Sequence, residues 1–360
     1  MKKKRLILSA FNVHTGGGFT LLNELLSVIK PNKYFEKALL DLRTKNRFEQ
    51  VKIDKIFIER KIFSRIFYFF FNTLIAREDL VTFCFNGLPP FFRNKSKIVS
   101  YVQTFYFTES PSGYEFPLFV RLRIFFEKLW FWTFYNNIDE IWVQTNHIKK
   151  KIIRVIIEKS LKRKKIRIAP FVSTNVQKNL NYNGSKLFKL SNYKNKVFFY
   201  PSDLSAHKNH INLIKAFKIF RSKNKNSILY LTLSNTEFRT LQKLMNYEQN
   251  NFSGIINLGK ISHKKVLGMF KKSILLFPSY DETFGLPLIE ASSIGTPIVA
   301  SNKDFVKEIC LNAYLFNPRS PKSISLNMEK CIQNLKKTKC LYEKKNINNG
   351  KSFINLLTTT

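Results

Sequence analysis

Short apolar runs alternate with longer stretches whose apolar positions recur every three or four residues along most of the chain. The first kind predicts buried strands and the second amphipathic helices. Strands are expected at Leu6–Ala10, Ala38–Leu42, Lys55–Ile58, Leu80–Phe85, Ile98–Gln103, Glu140–Gln144 and Ile166–Pro170. Helices are expected at Phe19–Ile29, Ile62–Ala76, Pro117–Tyr135 and Asn146–Lys159; the first places Leu21, Leu22, Leu25, Leu26 and Ile29 on one face. The alternation lapses over Ser173–Lys196, which is rich in Asn, Lys, Ser and Tyr and suits a linker. A second cycle follows: strands Val197–Tyr200, Ile228–Leu233, Ile255–Leu258, Ile274–Phe277 and Pro297–Ala300, with helices Asn209–Phe220, Glu237–Tyr247, His263–Phe270 and Pro287–Ser293 between them. Strand and helix in alternation argue parallel sheets covered on both faces. The expectation is α/β: two Rossmann-like doubly wound domains, 1–172 and 197–335, a linker at 173–196 and a tail at 336–360. Two such sheets leave a cleft at their carboxyl ends, where ligands bind.

Composition narrows the class. With 360 residues and 44% hydrophobic positions, the chain can bury two cores, so its formal charge of +37 does not make it a disordered polycation. The charge suits an anionic membrane or nucleic acid. Genome bias toward Lys, Asn, Ile and Phe is expected to account for much of it, though the charge acts whatever its origin. The apolar run after Met1–Arg5 is too short for a signal peptide, and Ile62–Ala76, interrupted by Ser64, Arg65 and Asn72, is too short for a transmembrane span. Cys84, Cys310, Cys331 and Cys340 form no metal-binding spacing and are expected as reduced packing residues. A cytoplasmic protein is expected.

Two segments carry candidate chemistry. Gly16, Gly17 and Gly18 follow the first strand and open the first helix, where backbone N–H groups and the helix dipole attract an anion. They match neither a Walker loop nor a dinucleotide fingerprint. The second is Phe277-Pro-Ser-Tyr-Asp-Glu-Thr-Phe-Gly-Leu-Pro-Leu-Ile-Glu-Ala291. Here a strand ends, a loop carries Glu282, Gly285 permits close approach, and Pro287 suits a first helical turn that brings in Glu290. Two carboxylates beside a helix N-terminus suit a ligand with both hydroxyls and phosphates, which describes a nucleotide sugar.

This string resembles the E-x7-E signature of the retaining glycosyltransferases of the sucrose synthase-like family 4 group, which have the GT-B fold. Gly259-Lys-Ile-Ser-His263, Ser301–Glu308, Ala313–Pro318 and Tyr200–His210, with its Lys208-Asn209, are similar to further strings of that family. The resemblance implies that Glu290 binds the nucleotide ribose and Glu282 the donor sugar, with Thr283, Phe284, Gly285 and Leu286 lining the donor site. Lys208 would pair with the diphosphate, and Gly16–Gly18 would close over it. Many relatives carry an Arg shortly before the Lys, whereas Ser202 and Asp203 stand here, which leaves room for His207 or His210 as a further base. No D-x-D occurs in the sequence, in keeping with metal-independent catalysis without a cofactor. His14 and Gln103 are candidates for the acceptor side.

Ile62–Ala76 and Pro117–Tyr135 mix Arg and Lys with Phe, Tyr and Trp, which suits the headgroup region of an anionic membrane as well as packing on a sheet. The function expected is transfer of a sugar from a nucleotide-diphosphate sugar to a lipid-linked surface glycan, on the inner face of a membrane. No nucleic-acid partner is expected. The rival readings are a GT-B epimerase or phosphorylase and a non-catalytic polyanion- or membrane-binding protein.

Overall fold

Two parallel sheets carry the architecture. The computed structural model describes residues 4–28, 34–59, 64, 70, 76–109, 117–180, 196–246, 252–342 and 346–359. It divides into one unit of Met1–Thr174 with Ile347–Thr360, and a second of Asn175–Asn346.

In the first unit, strands β1 (Arg5–Ala10), β2 (Phe35–Asp41), β3 (Lys55–Ile58), β4 (Leu80–Cys84), β5 (Lys97–Val102), β6 (Glu140–Val143) and β7 (Lys165–Ile168) form one sheet in the order β3-β2-β1-β4-β5-β6-β7. Every neighbouring pair is parallel. The centre is dry: all of β4 and β6 is buried. Parallel strands covered on both faces need such near-continuous apolar runs, here interrupted by the buried Thr82 and Glu140. The strand order reverses between β1 and β4, so the connections leaving their adjacent carboxyl ends run in opposite directions, the place where such sheets have a crevice.

The second unit repeats the plan with β8 (Val197–Tyr200), β9 (Ile228–Leu231), β10 (Ile255–Asn257), β11 (Ile274–Phe277), β12 (Ile298–Ser301) and β14 (Tyr314–Phe316), in the order β10-β9-β8-β11-β12-β14. Its switch point lies between β8 and β11. A two-stranded antiparallel ladder, β13 (Cys310–Leu311) with β15 (Lys339–Cys340), sits beside it. The four cysteines are free thiols.

Helix Gly350–Thr358 lies within the stretch expected as a tail and belongs to the first unit. An Asn349–Ser352 capping box starts it. Glycine is needed at 350 because a Cβ there would lie 3.0 Å from the Glu24 carbonyl oxygen and 2.9 Å from Val28. Its Phe353 is fully buried, with ring centroids 4.4 Å from Phe171, 5.2 Å from Tyr101, 5.5 Å from Trp142 and 5.7 Å from Phe83.

Most expected elements occur within a few residues of their expected ends. The exceptions are short: helix Thr174–Asn179, inside the stretch expected as a linker, helices Lys45–Phe48 and Asp304–Ile309, and strands β13 and β15 are too brief to show a period. Helix Pro321–Gln333, longer but half polar, also lies past the last element expected from periodicity. The expected helix Ile62–Ala76 lies outside the described residues except at Ser64, Phe70 and Ala76.

Phe353→Ala removes the ring that joins the last helix to the first sheet. It should cost about 3–5 kcal/mol, the range for emptying a buried phenylalanine site. Urea unfolding of the full chain measures this; a cost below about 1 kcal/mol would mean the last helix adds little to the first unit's core.

Candidate functional site

The site in the second unit grows from the ends of β8 and β11, on either side of the switch point. After β8 the chain makes a short turn, Ala206–Lys208, and then enters helix His210–Lys223 through Asn209. Asn209 has φ 59°, a left-handed conformation that Asn tolerates better than most residues. Its buried amide donates to the carbonyl oxygens of Pro278 at 3.0 Å and Pro318 at 2.7 Å, tying the turn to the segments that follow β11 and β14. The Tyr200 hydroxyl donates to the Lys208 carbonyl at 3.0 Å and lies 3.0 Å from Ser279 Oγ. The Tyr280 N–H donates to the His207 carbonyl. Lys208 therefore stands on backbone fixed from three sides.

Its ammonium lies 2.5 Å from Glu282 Oε1, with the two side chains only 18% and 11% exposed. Burial pushes Lys208 toward neutrality, but the attraction of Glu282, with lesser help from Tyr200 and Asp203, outweighs it and holds the group above the usual lysine range. Asp203 responds the same way: burial favours its neutral form, yet the Lys208 charge and hydrogen bonds from Ser205 keep its carboxyl below the usual range. A nearly dry, charged ammonium thus sits at the carboxyl ends of two strands.

Glu282 lies in the loop that leads to helix Leu286–Ile294. Gly285 caps that helix with φ 61°, and a Cβ there would come within 2.9 Å of Leu288 Cδ1. Residues 288–294 are buried all round, Glu290 included. Glu290 is not an acid on a solvated helix face: its carboxylate is 4% exposed and lies 2.6 Å from His263 Nε2. His263 opens helix His263–Phe270 after β10, and Ser262 caps it. Thr283, Phe284 and Leu286 occupy the same loop and first turn, whose N–H groups have no intrahelical acceptor.

In the first unit, Gly16–Gly18 form the opening turn of helix Gly16–Ser27, Gly16 at φ 69°. Gln103, just past β5, comes within 3.1 Å of where a Cβ at Gly18 would stand, and its Nε2 donates to the Phe85 carbonyl at 2.9 Å. His14 precedes the glycines. Burial, then the Arg43 charge, lowers its pKa, and its Nδ1 has no hydrogen-bond partner among the described residues. The structure thus gathers Gly18 and Gln103 at the carboxyl ends of the first sheet, with His14 at the entry to the glycine turn. It gathers Lys208, Glu282 and the helix bearing Glu290 in the second unit.

His207 and His210 do not take the place of the missing arginine. Burial, reinforced for His207 by Lys208, lowers His207 to about 4 and His210 to about 3, so both are neutral near pH 7. His210 instead pairs with Ser202 Oγ at 3.0 Å. Two contributors escaped the sequence reading. His263 lay in a string noted only for its resemblance, and nothing in spacing linked it to an acid 27 positions later. Glu237, part of a capping box with Ser234, also accepts from the Leu204 N–H at 3.2 Å and pairs with Lys260 at 2.9 Å, bracing the loop before Lys208.

Two parallel, helix-covered sheets of this order have the GT-B fold of glycosyltransferases. Residues 185–348 match the family model described as Glycosyl transferases group 1. The O-antigen chain mannosyltransferase RfbU of Salmonella typhimurium is 26% identical over 203 residues, 52% of this chain and 57% of that protein. The chain therefore aligns with little more than half the length of that curated relative. Anabaena HepE in complex with UDP-glucose superposes with a TM-score of 0.66 at 14% identity, covering 92% of this chain and 90% of that one. The α,α-trehalose 6-phosphate synthase of Burkholderia multivorans gives 0.61 at 11% identity, covering 92% and 91%.

The two buried histidines set a pH dependence. Unfolded, each takes up a proton near pH 6.5, whereas in the folded chain neither does until about pH 4 or below. The unfolded state binds more protons in that window, so stability is full above about pH 6.5 and falls as the pH drops toward 4. Asp203, with a depressed folded pKa, adds a loss in the same direction at lower pH. The urea midpoint should decline between pH 7 and pH 4.5, and less steeply in His210→Gln. A flat profile would contradict the neutral, buried assignment.

Proposed function

We propose that the chain is a retaining, metal-independent glycosyltransferase that moves a sugar from a nucleotide-diphosphate sugar to an acceptor hydroxyl. The observation that carries this reading is the shielded Lys208–Glu282 pair at the switch point of the family-matched unit. Breaking the bond between the anomeric carbon and the phosphate oxygen sends its electron pair onto the leaving diphosphate. A fixed ammonium in a dry setting, with helix N–H groups nearby, stabilises that charge by several kcal/mol. Lys208 has this role. The incoming diphosphate takes over part of its attraction to Glu282, which frees that carboxylate to accept from sugar hydroxyls. Glu290, held by His263, accepts from the paired ribose hydroxyls.

Retention follows from front-face attack by the acceptor or from a short-lived glycosyl intermediate; in the front-face case the departing phosphate oxygen takes the acceptor's proton. The Gly16–Gly18 turn, His14 and Gln103 serve the diphosphate and acceptor in this reading. Metal independence is favoured because Lys208 already supplies the cation and the sequence has no D-x-D. HepE, solved with UDP-glucose, supports a nucleotide-sugar donor. The O-antigen mannosyltransferase relative supports a lipid-linked surface glycan as acceptor, and peripheral association with the membrane that carries it. No helix of the described residues is long and apolar enough to cross a membrane.

Thermal unfolding with UDP-, GDP- and dTDP-sugars tests the donor. A donor at about 100 times its Kd should stabilise by about 2.7 kcal/mol. One donor should stabilise the native chain and fail to stabilise Glu290→Ala or Lys208→Ala. If no nucleotide sugar moves the melting temperature while heparin does, the chain is a polyanion binder instead.

A further inference from the structure

Six of the eighteen exposed large hydrophobic side chains among the described residues lie on one helix, Leu118–Thr133. Leu118, Phe119, Leu122, Phe125, Phe126 and Leu129 are each between 49% and 69% exposed. At 100° per residue they occupy one continuous face, about 120° wide. The opposite face is fixed to the first unit. Ile124 and Phe131 are buried there, and Phe131 stacks on Phe107 with centroids 4.5 Å apart. Trp132 Nε1 donates to the Phe107 carbonyl and Trp130 Nε1 to the Pro89 carbonyl, both at 2.8 Å. The exposed face is therefore surplus to the needs of packing.

Charge defines what that face meets. On the same projection Arg121 and Lys128 flank the apolar face on one side and Arg123 on the other. The helix's one acid, Glu127, points away from the apolar face and lies 4.0 Å from Arg123. Beyond the Trp130 edge, Phe91 stacks on Trp130 at 4.3 Å, and the adjacent Phe92 is 54% exposed. An apolar face of leucine and phenylalanine between two cationic borders is the pattern of a helix lying in a lipid interface. The rings and branched chains enter the acyl boundary while guanidinium and ammonium groups stay with the phosphates. Single-stranded nucleic acid fits the face poorly, because three of its six apolar residues are leucines that offer no ring for base stacking.

We propose that helix Leu118–Thr133 docks the protein on an anionic bilayer, with Phe119, Leu122, Phe125 and Phe126 inserted and Arg121 and Arg123 on lipid phosphates. This deepens the reading of a membrane-borne acceptor and rests on it for its purpose. The face itself is defined independently of the donor site. A net charge of +37 draws the molecule to acidic lipid from any direction; the stripe fixes which side lands.

Cosedimentation of the full chain with phosphatidylglycerol-containing vesicles, against pure phosphatidylcholine vesicles, tests the proposal. The native chain should pellet with the anionic vesicles and far less with the neutral ones. Leu122→Ser/Phe125→Ser/Phe126→Ser should weaken this binding by on the order of tenfold or more, at an unchanged melting temperature because the replaced groups are exposed. Arg121→Gln/Arg123→Gln should weaken it and lower its salt dependence. Anionic-vesicle binding by the triple variant equal to that of the native chain would overturn the proposal, since diffuse charge would then suffice. So would equal binding to neutral vesicles, or light scattering that shows the stripe joining two copies of the chain while vesicles bind neither form. Stabilisation by a nucleotide sugar should persist in the triple variant. A failed donor reading and a failed docking surface therefore register in different measurements.

Discussion

Burying both faces of a parallel sheet leaves polar side chains few places to stand. Along β4, β6, β11 and β12 every residue is buried, so chemistry is confined to the segments that follow the strands. The strand order then selects among those segments. Only where successive crossovers diverge, between β1 and β4 and again between β8 and β11, does a crevice open that helices do not fill. Lys208 follows β8 and Glu282 follows β11, so topology brings together two residues 74 positions apart.

A shielded ion pair of this kind is a poor device for stability alone, because desolvating both charges consumes most of what their attraction returns. The surrounding bonds suggest a different use. Asn209 straps the turn to two other segments, Tyr200 holds the Lys208 carbonyl, and Gly285 adopts a conformation that a side chain would strain. These contacts restrict where the ammonium can be rather than how strongly it is held. In the proposed reaction, a cation fixed before its substrate arrives needs no reorganisation when charge develops, which is the condition for electrostatic catalysis. His263 gives Glu290 the same service from a neighbouring helix.

The legible part of the sequence was the part governed by periodicity and by local turn chemistry. Long amphipathic helices such as Asn146–Glu158 and buried strands such as Ile274–Phe277 stand out because solvent and core impose different periods on them. Glu282, Gly285, Pro287 and Glu290 could be read together because they share one loop and one helix turn. His263 could not, since its meeting with Glu290 depends on how two helices pack. The histidines beside Lys208 misled for a related reason: their residue type suggests a cation, and only burial reveals that they stay neutral. Two-residue strands such as β13 carry too little pattern to be seen at all.

Positive charge was the loudest signal in the composition and the least specific. Sixty-one basic residues against twenty-four acidic ones attract every polyanion, so the excess by itself separates neither lipid from nucleic acid nor selection from genome bias. Arrangement carries the information that the total lacks. Much of the acid is already committed to pairs, as where Glu140 is bridged by Lys97 and Lys165 and accepts from Trp142. Hydrogen bonds from those neighbours overcome the cost of burial and bring its pKa down to about 2. What distinguishes helix Leu118–Thr133 is the pairing of cations with an apolar face that the core does not use. Water penalises that exposed face in the free protein. A bilayer removes the penalty and satisfies the charges in the same contact, whereas a nucleic acid would satisfy only the charges.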